Sequence, residues 1–222
     1  MPPNNQMMPP NNQMMAKNYE YKTGIDYGTN NYKHPEVLKN FLNESDLKII
    51  LNYVNKLNLV NGEVGAFNLD NMHRNNKIAW IEKYLIENME NIYIKLENIL
   101  GIPRNNFEHL QVSKYTKGQF YKKHFDQSPY YNETDKDNLF VDNPRIKTLI
   151  MYLNDDYKGG KTTFVNLNKS YKLNKGDALL FDIFNDKKDQ VHYLSEHEGE
   201  LVEDGVKWIA TIWIKKYEFK FN

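Results

Sequence analysis

A histidine and a carboxylate two residues apart are the first side chains in this sequence with an obvious chemical use. They are His124 and Asp126, at the end of the segment KYTKGQFYKKHFD (Lys114–Asp126), and the pair lies on a predicted β-strand. Residues two apart on a strand point to the same face, so the imidazole and the carboxylate are expected to face one site. Two such ligands do not hold a transition metal, and a third is required.

Two later histidines, His192 and His197, are candidates for the third ligand. They lie five residues apart, so on one continuous strand they face opposite sides and only one can share the site. The chain has no cysteine, which excludes thiolate ligands, disulfides and a cysteine nucleophile. Any metal must therefore be held by histidine and carboxylate.

The last apolar segment directs a lysine toward the protein interior. Alternate residues from Trp208 to Ile214 form an all-apolar face suited to packing under helices, and Lys207 begins the opposite face. A buried lysine is costly without an anionic partner. An anion is therefore expected beside Lys207, ten residues after His197.

The segments that must position these residues have sequence patterns that predict an α+β, mainly β fold. From residue 105 to 222 the apolar period is two, and eight short strands separated by turn residues predict a jelly roll, a double-stranded β-helix. Two of these strands are Gln119–Asp126 and Gln190–His197. The connection Gln127–Pro144 is long and polar and begins beside the His-x-Asp pair, so it is predicted to act as a lid.

An N-terminal support region, residues 18–104, is predicted to contribute packing helices to the same domain. One helix begins at Asn43 or Ser45, and a second apolar pattern runs from Ile78 to Ile99 and stops at Gly101. Residues 1–17 include a tandem repeat, PPNNQMM at Pro2–Met8 and again at Pro9–Met15, and predict a disordered low-complexity tail.

The charge and hydropathy of the sequence limit the classes of partner that are expected. Lys plus Arg and Asp plus Glu both number 29, so no general attraction to nucleic acid or an anionic membrane is expected. The sequence shows no apolar run of membrane-spanning length and no secretory signal, which predicts a soluble, cytoplasmic protein. The oligomeric state is left open.

Five segments together resemble one family: LQVSKYTKGQFYKKHFD from Leu110, RIKTLIMYLN from Arg145, GGKTTF from Gly159, KGDALLF from Lys175 and HEGELVEDGVKWIATIW from His197. In order and spacing they are similar to prolyl 4-hydroxylase-type iron(II)/2-oxoglutarate dioxygenases. The resemblance implies that His124, Asp126 and His197 hold Fe(II), and that Lys207 pairs with the distal carboxylate of 2-oxoglutarate.

The resemblance also implies an activity and further site residues. The activity is hydroxylation of prolyl residues in a peptide or protein with 2-oxoglutarate and O2, releasing succinate and CO2, with L-ascorbate as reductant. Tyr115 is implied to bind 2-oxoglutarate, with Tyr152 or Thr162 holding its C5 carboxylate. Positions near the substrate peptide fall on Tyr121, Arg145 and Trp213. One departure is Lys215, where plant and algal members have a histidine.

Three alternatives remain at this point. The same chemistry could act on another residue or a small molecule, the roll could be a non-catalytic metal-binding module of the cupin type, or the three ligands could serve a zinc hydrolase. Lys207 discriminates against the last two, because neither a binding module nor a zinc hydrolase needs a carboxylate anchor at that position.

Overall fold

The structure, a computed structural model, describes residues 24–62, 73–82, 89–128 and 143–218. The predicted tail (1–17) and residues 129–142 of the predicted lid lie outside these ranges, so both remain predictions. None of the helices in the described ranges has the length and apolar character needed to cross a membrane.

The described residues form two α-helices, fifteen strands and two 3-10 turns. The helices are α1 (Glu44–Val54) and α2 (Glu90–Leu100), and the 3-10 turns are Arg104–Asn106 and Tyr193–Ser195. In chain order the strands are β1 (Ile25–Asp26), β2 (Glu36–Leu38), β3 (Val60–Asn61), β4 (Lys77–Ile81), β5 (Leu110–Thr116), β6 (Tyr121–His124), β7 (Arg145–Tyr152), β8 (Lys158–Gly159), β9 (Thr162–Phe164), β10 (Lys169–Tyr171), β11 (Ala178–Asp182), β12 (Val191–His192), β13 (His197–Gly199), β14 (Val202–Asp204) and β15 (Val206–Lys215).

Two antiparallel sheets face each other across the core. The larger has seven strands in the order β2-β11-β7-β15-β5-β4-β3, and the smaller has four in the order β10-β9-β13-β6. The ring of Phe164 on β9 meets the ring of Phe181 on β11 edge to face, with centroids 4.9 Å apart. Side chains of the two sheets therefore interdigitate, as in a jelly roll. The predicted mainly β architecture is confirmed.

Local capping signals explain where α1 begins and where α2 ends, but the apolar pattern misplaces the start of α2. Asn43 caps α1: its Oδ1 accepts from the Asp46 amide at 2.8 Å, and the Asp46 carboxylate accepts from the Asn43 amide at 3.0 Å. Gly101 ends α2 in the left-handed conformation, with φ 62°. The prediction that Ile78 begins the second helix is wrong, because residues 77–81 form β4 and pair with β5.

Three further predictions about the strands need correction. Gln190–His197 is not one strand, because a 3-10 turn separates β12 from β13. The strand predicted as Gln119–Asp126 ends at His124. The support region also contains strands that its helical pattern did not predict: β2 pairs with β11 and β4 pairs with β5. The support region and the roll consequently share one sheet.

Candidate metal and co-substrate site

The three predicted metal ligands lie together where two strands of the smaller sheet meet. His124 at the end of β6 is the direct cross-strand partner of His197 at the start of β13, and Asp126 follows just past β6. His124 Nε2 lies 3.5 Å from Asp126 Oδ1, and His197 Nε2 lies 3.8 Å from Asp126 Oδ2. One ligand atom from each residue fits within 4.8 Å of the others, a spacing that could hold a metal ion.

Hydrogen bonds outside the cluster aim the ligand atoms into it. His124 Nδ1 contacts the carbonyl of Lys122 at 2.8 Å, and His197 Nδ1 contacts the carbonyl of Ser195 at 2.9 Å. A carbonyl only accepts, so each Nδ1 must carry the proton, and each Nε2 presents its lone pair to the cluster. The Thr148 hydroxyl donates to Asp126 Oδ2 at 2.6 Å and fixes the carboxylate.

The electrostatics of the cluster suit a metal cation. Burial lowers the pKa of His197 to about 4 despite the opposing charge of Asp126, so His197 is neutral at pH 7. Burial alone would raise the pKa of Asp126, but His197, His124 and the Thr148 hydrogen bond together hold it well below its usual range. Two imidazole nitrogens and one carboxylate are the donor set of non-haem Fe(II) sites with open positions. The residues present therefore fit Fe(II).

Aromatic rings enclose the two histidines. His197 packs against both Phe181 and Phe164, with ring centroids 4.9 Å and 5.5 Å away. Tyr121 stacks on His124 at 3.6 Å between centroids, and the Arg74 guanidinium lies 4.5 Å from the centre of the Tyr121 ring. Tyr121, predicted to lie near the substrate, thus contacts a predicted metal ligand directly.

Lys207 lies deep in the roll beside the other residues predicted to bind 2-oxoglutarate. It is 2% exposed, and its ammonium donates to the Gly160 carbonyl at 2.7 Å. Its nitrogen is 5.3 Å from the ring centre of Tyr115, its cross-strand partner, and 5.8 Å from that of Tyr152. The Tyr152 and Thr162 hydroxyls hydrogen-bond at 2.9 Å, so both residues belong to this pocket.

The pocket around Lys207 favours an anion. Burial lowers the pKa of Lys207 to about 7, although Glu200 opposes the shift. A bound carboxylate would restore the charged form. The Tyr115 hydroxyl lies 3.9 Å from an ideal Cβ at Gly199, two residues after His197, so Tyr115 reaches from Lys207, its cross-strand partner, to the strand that carries His197.

Trp213 and Arg145 form a second group beside Asp126. The Arg145 guanidinium lies 4.0 Å from the ring centre of Trp213 and makes two hydrogen bonds of 2.7 Å to the Glu108 carboxylate. Trp213 also contacts Trp80, with centroids 5.7 Å apart. Its indole Nε1 is buried and has no hydrogen-bond partner within the described part of the chain.

Lys215, the departure from the plant and algal pattern, is buried in the same group. Its ammonium lies 3.3 Å from Glu108 Oε1, and burial lowers its pKa to about 8. Glu108 therefore faces two cations, Arg145 and Lys215. Because Arg145 is held by Glu108 and Trp213, its orientation is fixed before any substrate arrives.

Sequence reasoning missed the residues that orient the site rather than form it. Thr148 lies within an apolar strand, and only its even spacing from Tyr152 places it inside the roll. Arg74 bonds Asn76 at 2.6 Å and Gln111 at 3.1 Å, partners that no local pattern reveals. His192, the rejected ligand, contacts the Gly28 carbonyl at 2.8 Å.

Comparison with known proteins identifies the class. The family model for the 2OG-Fe(II) oxygenase superfamily matches residues 110–215, which include every predicted site residue. A candidate prolyl 4-hydroxylase of Acanthamoeba polyphaga mimivirus is 32% identical over 193 residues, 85% of this chain and 76% of that protein. The chain belongs to the 2OG-Fe(II) oxygenase superfamily.

Within that superfamily the chain is a prolyl 4-hydroxylase-type dioxygenase. Arabidopsis thaliana prolyl 4-hydroxylase 2 is 37% identical over 142 residues, which cover 54% of this chain and 45% of the plant protein. The chain thus spans under half of that relative. A viral collagen prolyl hydroxylase from Paramecium bursaria Chlorella virus-1, solved with 2OG, aligns with TM-score 0.62 and 23% identity over 83% of this chain and 97% of that one, and shows the same fold.

Proposed function

We propose that this protein hydroxylates prolyl residues of a peptide or protein, using Fe(II), 2-oxoglutarate and O2 and releasing succinate and CO2. The observation that carries the proposal is the joint presence, in one roll, of the His124, Asp126 and His197 cluster and a buried lysine. The prolyl substrate is supported by the relatives, which are named as prolyl 4-hydroxylases.

Each residue of the cluster has a defined part in this proposal. His124 and His197 offer Nε2 and Asp126 offers a carboxylate oxygen to Fe(II), with Thr148 holding the carboxylate in place. When bound, Fe(II) and 2-oxoglutarate supply the activation of O2 and the hydroxylation of an unactivated C–H bond. Phe164 and Phe181 keep water away from His197.

The co-substrate occupies the pocket around Lys207. The Lys207 ammonium pairs with the distal carboxylate of 2-oxoglutarate, and the mutually bonded hydroxyls of Tyr152 and Thr162 act as a pair rather than as alternatives. Burial raises the pKa of Tyr115, so its hydroxyl stays protonated and can donate to the same ligand. These contacts orient the co-substrate toward the metal cluster.

The substrate peptide is expected along Tyr121, Arg145 and Trp213. Tyr121 covers His124, and the indole N–H of Trp213, which has no hydrogen-bond partner among the described residues, would donate to a peptide carbonyl. We also propose L-ascorbate as the reductant that keeps the iron ferrous, and action in the cytoplasm stays a prediction of the sequence.

The test is a turnover assay on proline-containing peptides. Iron-loaded protein is incubated with 2-oxoglutarate, O2 and a peptide panel, and succinate and hydroxyproline are measured. Peptide-dependent succinate with one added oxygen on a proline is expected. Succinate without hydroxyproline on any peptide of the panel would contradict the prolyl assignment, and Asp126→Asn protein provides the background.

A further inference from the structure

The paired prolines near the N-terminus form a sequence motif that the site described above does not account for. Four of the eight prolines of the chain form two Pro-Pro pairs, Pro2-Pro3 and Pro9-Pro10, each opening an identical PPNNQMM heptad. We propose that these prolines are substrates of the protein's own active site, reached within the same molecule. The proposal rests on the prolyl hydroxylation proposed above.

The chain length between the heptads and the metal cluster permits this reaction. Ile25 on β1 pairs with Val191 on β12, six residues before His197. From strand spacing and residue length, Ile25 lies at most about 27 Å from His197. Pro10 precedes Ile25 by fifteen residues, which can span up to about 50 Å. Both proline pairs are therefore within covalent reach of the cluster.

The surface beside the cluster suits such a segment. Trp80 is 44% exposed and stands against Trp213, whose indole N–H has no partner within the described ranges. Proline-rich segments bind grooves lined by aromatic side chains, because their backbone is already restricted and loses little entropy. The PPNNQMM heptad carries no charge, so no charge repulsion opposes its approach.

Covalent attachment removes the need for a tight peptide site. A short connection holds the attached segment at an effective concentration of about millimolar, provided that it can span the two points. Weak contacts with Trp80 and Tyr121 then suffice to fill the site. The two identical heptads present the same prolines at two distances, so one copy can bind when the other does not.

The chemistry balances with the co-substrates of the proposed function. A prolyl C–H bond becomes C–OH with one oxygen atom of O2, and the other atom enters succinate. 2-Oxoglutarate loses CO2 and supplies the two electrons. Each hydroxylated proline therefore consumes one O2 and one 2-oxoglutarate.

The first test is mass spectrometry of the full chain after turnover without added peptide. Trypsin releases Met1–Lys17, which contains both proline pairs. We expect fragment ions to locate an added oxygen on at least one of Pro2, Pro3, Pro9 and Pro10, with isotopically heavy O2 incorporated. Oxygen confined to methionine, as in a His124→Ala control, would overturn the proposal.

A second reaction separates this proposal from the proposed function. An unrelated proline-rich peptide is added to the same protein, and its hydroxyproline is measured beside that of Met1–Lys17. A hydroxylated peptide with an unmodified tail overturns self-hydroxylation and leaves prolyl hydroxylase activity standing. If neither is hydroxylated, the proposed function itself falls.

A mixing experiment tests whether the reaction stays within one molecule. Full-length protein with all four tail prolines replaced by alanine supplies the active site, and His124→Ala protein supplies an intact tail. We expect the rate of tail hydroxylation in wild-type protein to be independent of protein concentration and the mixture to react far more slowly. Equal rates in the mixture would overturn the intramolecular claim.

Binding gives a readout that needs no turnover. The synthetic peptide PPNNQMMPPNNQMM is titrated into the full-length protein with alanine at the four tail prolines, followed by tryptophan fluorescence. We expect a saturable change that is lost when the peptide prolines are alanine and is weakened by Trp80→Phe. An identical response to both peptides would contradict recognition of the proline pairs.

Discussion

Replacing Lys207 by methionine is expected to weaken 2-oxoglutarate binding by between about 100-fold and about 4000-fold. Lys207 is 2% exposed, so the distal carboxylate of the ligand would lose its cation inside the roll. Removing one partner of a buried ion pair costs about 3 to 5 kcal/mol, and each 1.4 kcal/mol is about tenfold in affinity. Methionine preserves the length and apolar character of the lysine stem.

The pH dependence of binding tests the same lysine. Burial lowers the pKa of Lys207 to about 7 in the empty protein, so the charged form that binds a carboxylate is populated below that pH and lost above it. Binding should therefore weaken about tenfold for each pH unit above 7, with uptake of a proton. In Lys207→Met protein this proton uptake should vanish.

The assay is calorimetric titration of 2-oxoglutarate into Mn(II)-loaded protein, in which no turnover occurs. Buffers of different ionisation enthalpy report the proton uptake. Lys161 is exposed and lies beside the same pocket, so Lys161→Met is the matched control. This variant should bind 2-oxoglutarate as the wild type does. Affinity within a few fold of wild type in a folded, metal-binding Lys207→Met protein would refute the anchor and favour a binding module.

Three further substitutions test the surroundings of the site. Thr148→Val removes the 2.6 Å hydrogen bond to Asp126 and should lower metal affinity by about 10-fold to 100-fold, measured by chelator competition. Glu108→Gln removes the charge that Arg145 and Lys215 share and should lower the free energy of unfolding by about 3 kcal/mol in urea. His192→Phe loses its contact with the Gly28 carbonyl and should lower stability by about 1 to 3 kcal/mol while leaving metal affinity unchanged.

Each of these three substitutions also has a result that would contradict its prediction. Unchanged chelator competition in Thr148→Val protein would show that the hydroxyl does not orient Asp126. Full stability of Glu108→Gln protein would show that the two cations do not depend on the carboxylate. Loss of metal in folded His192→Phe protein would return His192 to the candidate ligands. Thr163→Val, on β9 of the smaller sheet, removes a hydroxyl that hydrogen-bonds with Ser170 and Glu200 rather than with Asp126, and is the control for loss of a threonine hydroxyl.

Residues that act through their own type and spacing were predictable from the sequence. His124 and Asp126 are two residues apart, and the ten residues from His197 to Lys207 match a family pattern, so the site could be outlined before the fold was known. Residues that act through distant partners were not predictable. Arg74 reaches Tyr121 and Gln111 across some forty residues of chain, and no local period encodes such a contact.

The β4 segment shows the same limit for the fold. Ile78 and Ile81 have helical spacing, yet both are buried on a strand, because pairing with β5 decides the conformation. Strand parity favours His197 over His192 only on one continuous strand, and the 3-10 turn at 193–195 interrupts that strand. The cross-strand pair with His124, not strand parity, brings His197 to Asp126.

In the large sheet, the strands matched by the superfamily model are flanked at both edges by strands that lie outside the match. β2 covers β11 and β4 covers β5, and neither β2 nor β4 lies within residues 110–215. Produced alone, those residues would expose the backbone N–H and C=O groups of two apolar edge strands, which template pairing between copies. We expect such a fragment to aggregate, and a fragment that also includes β2 and β4 to stay in solution.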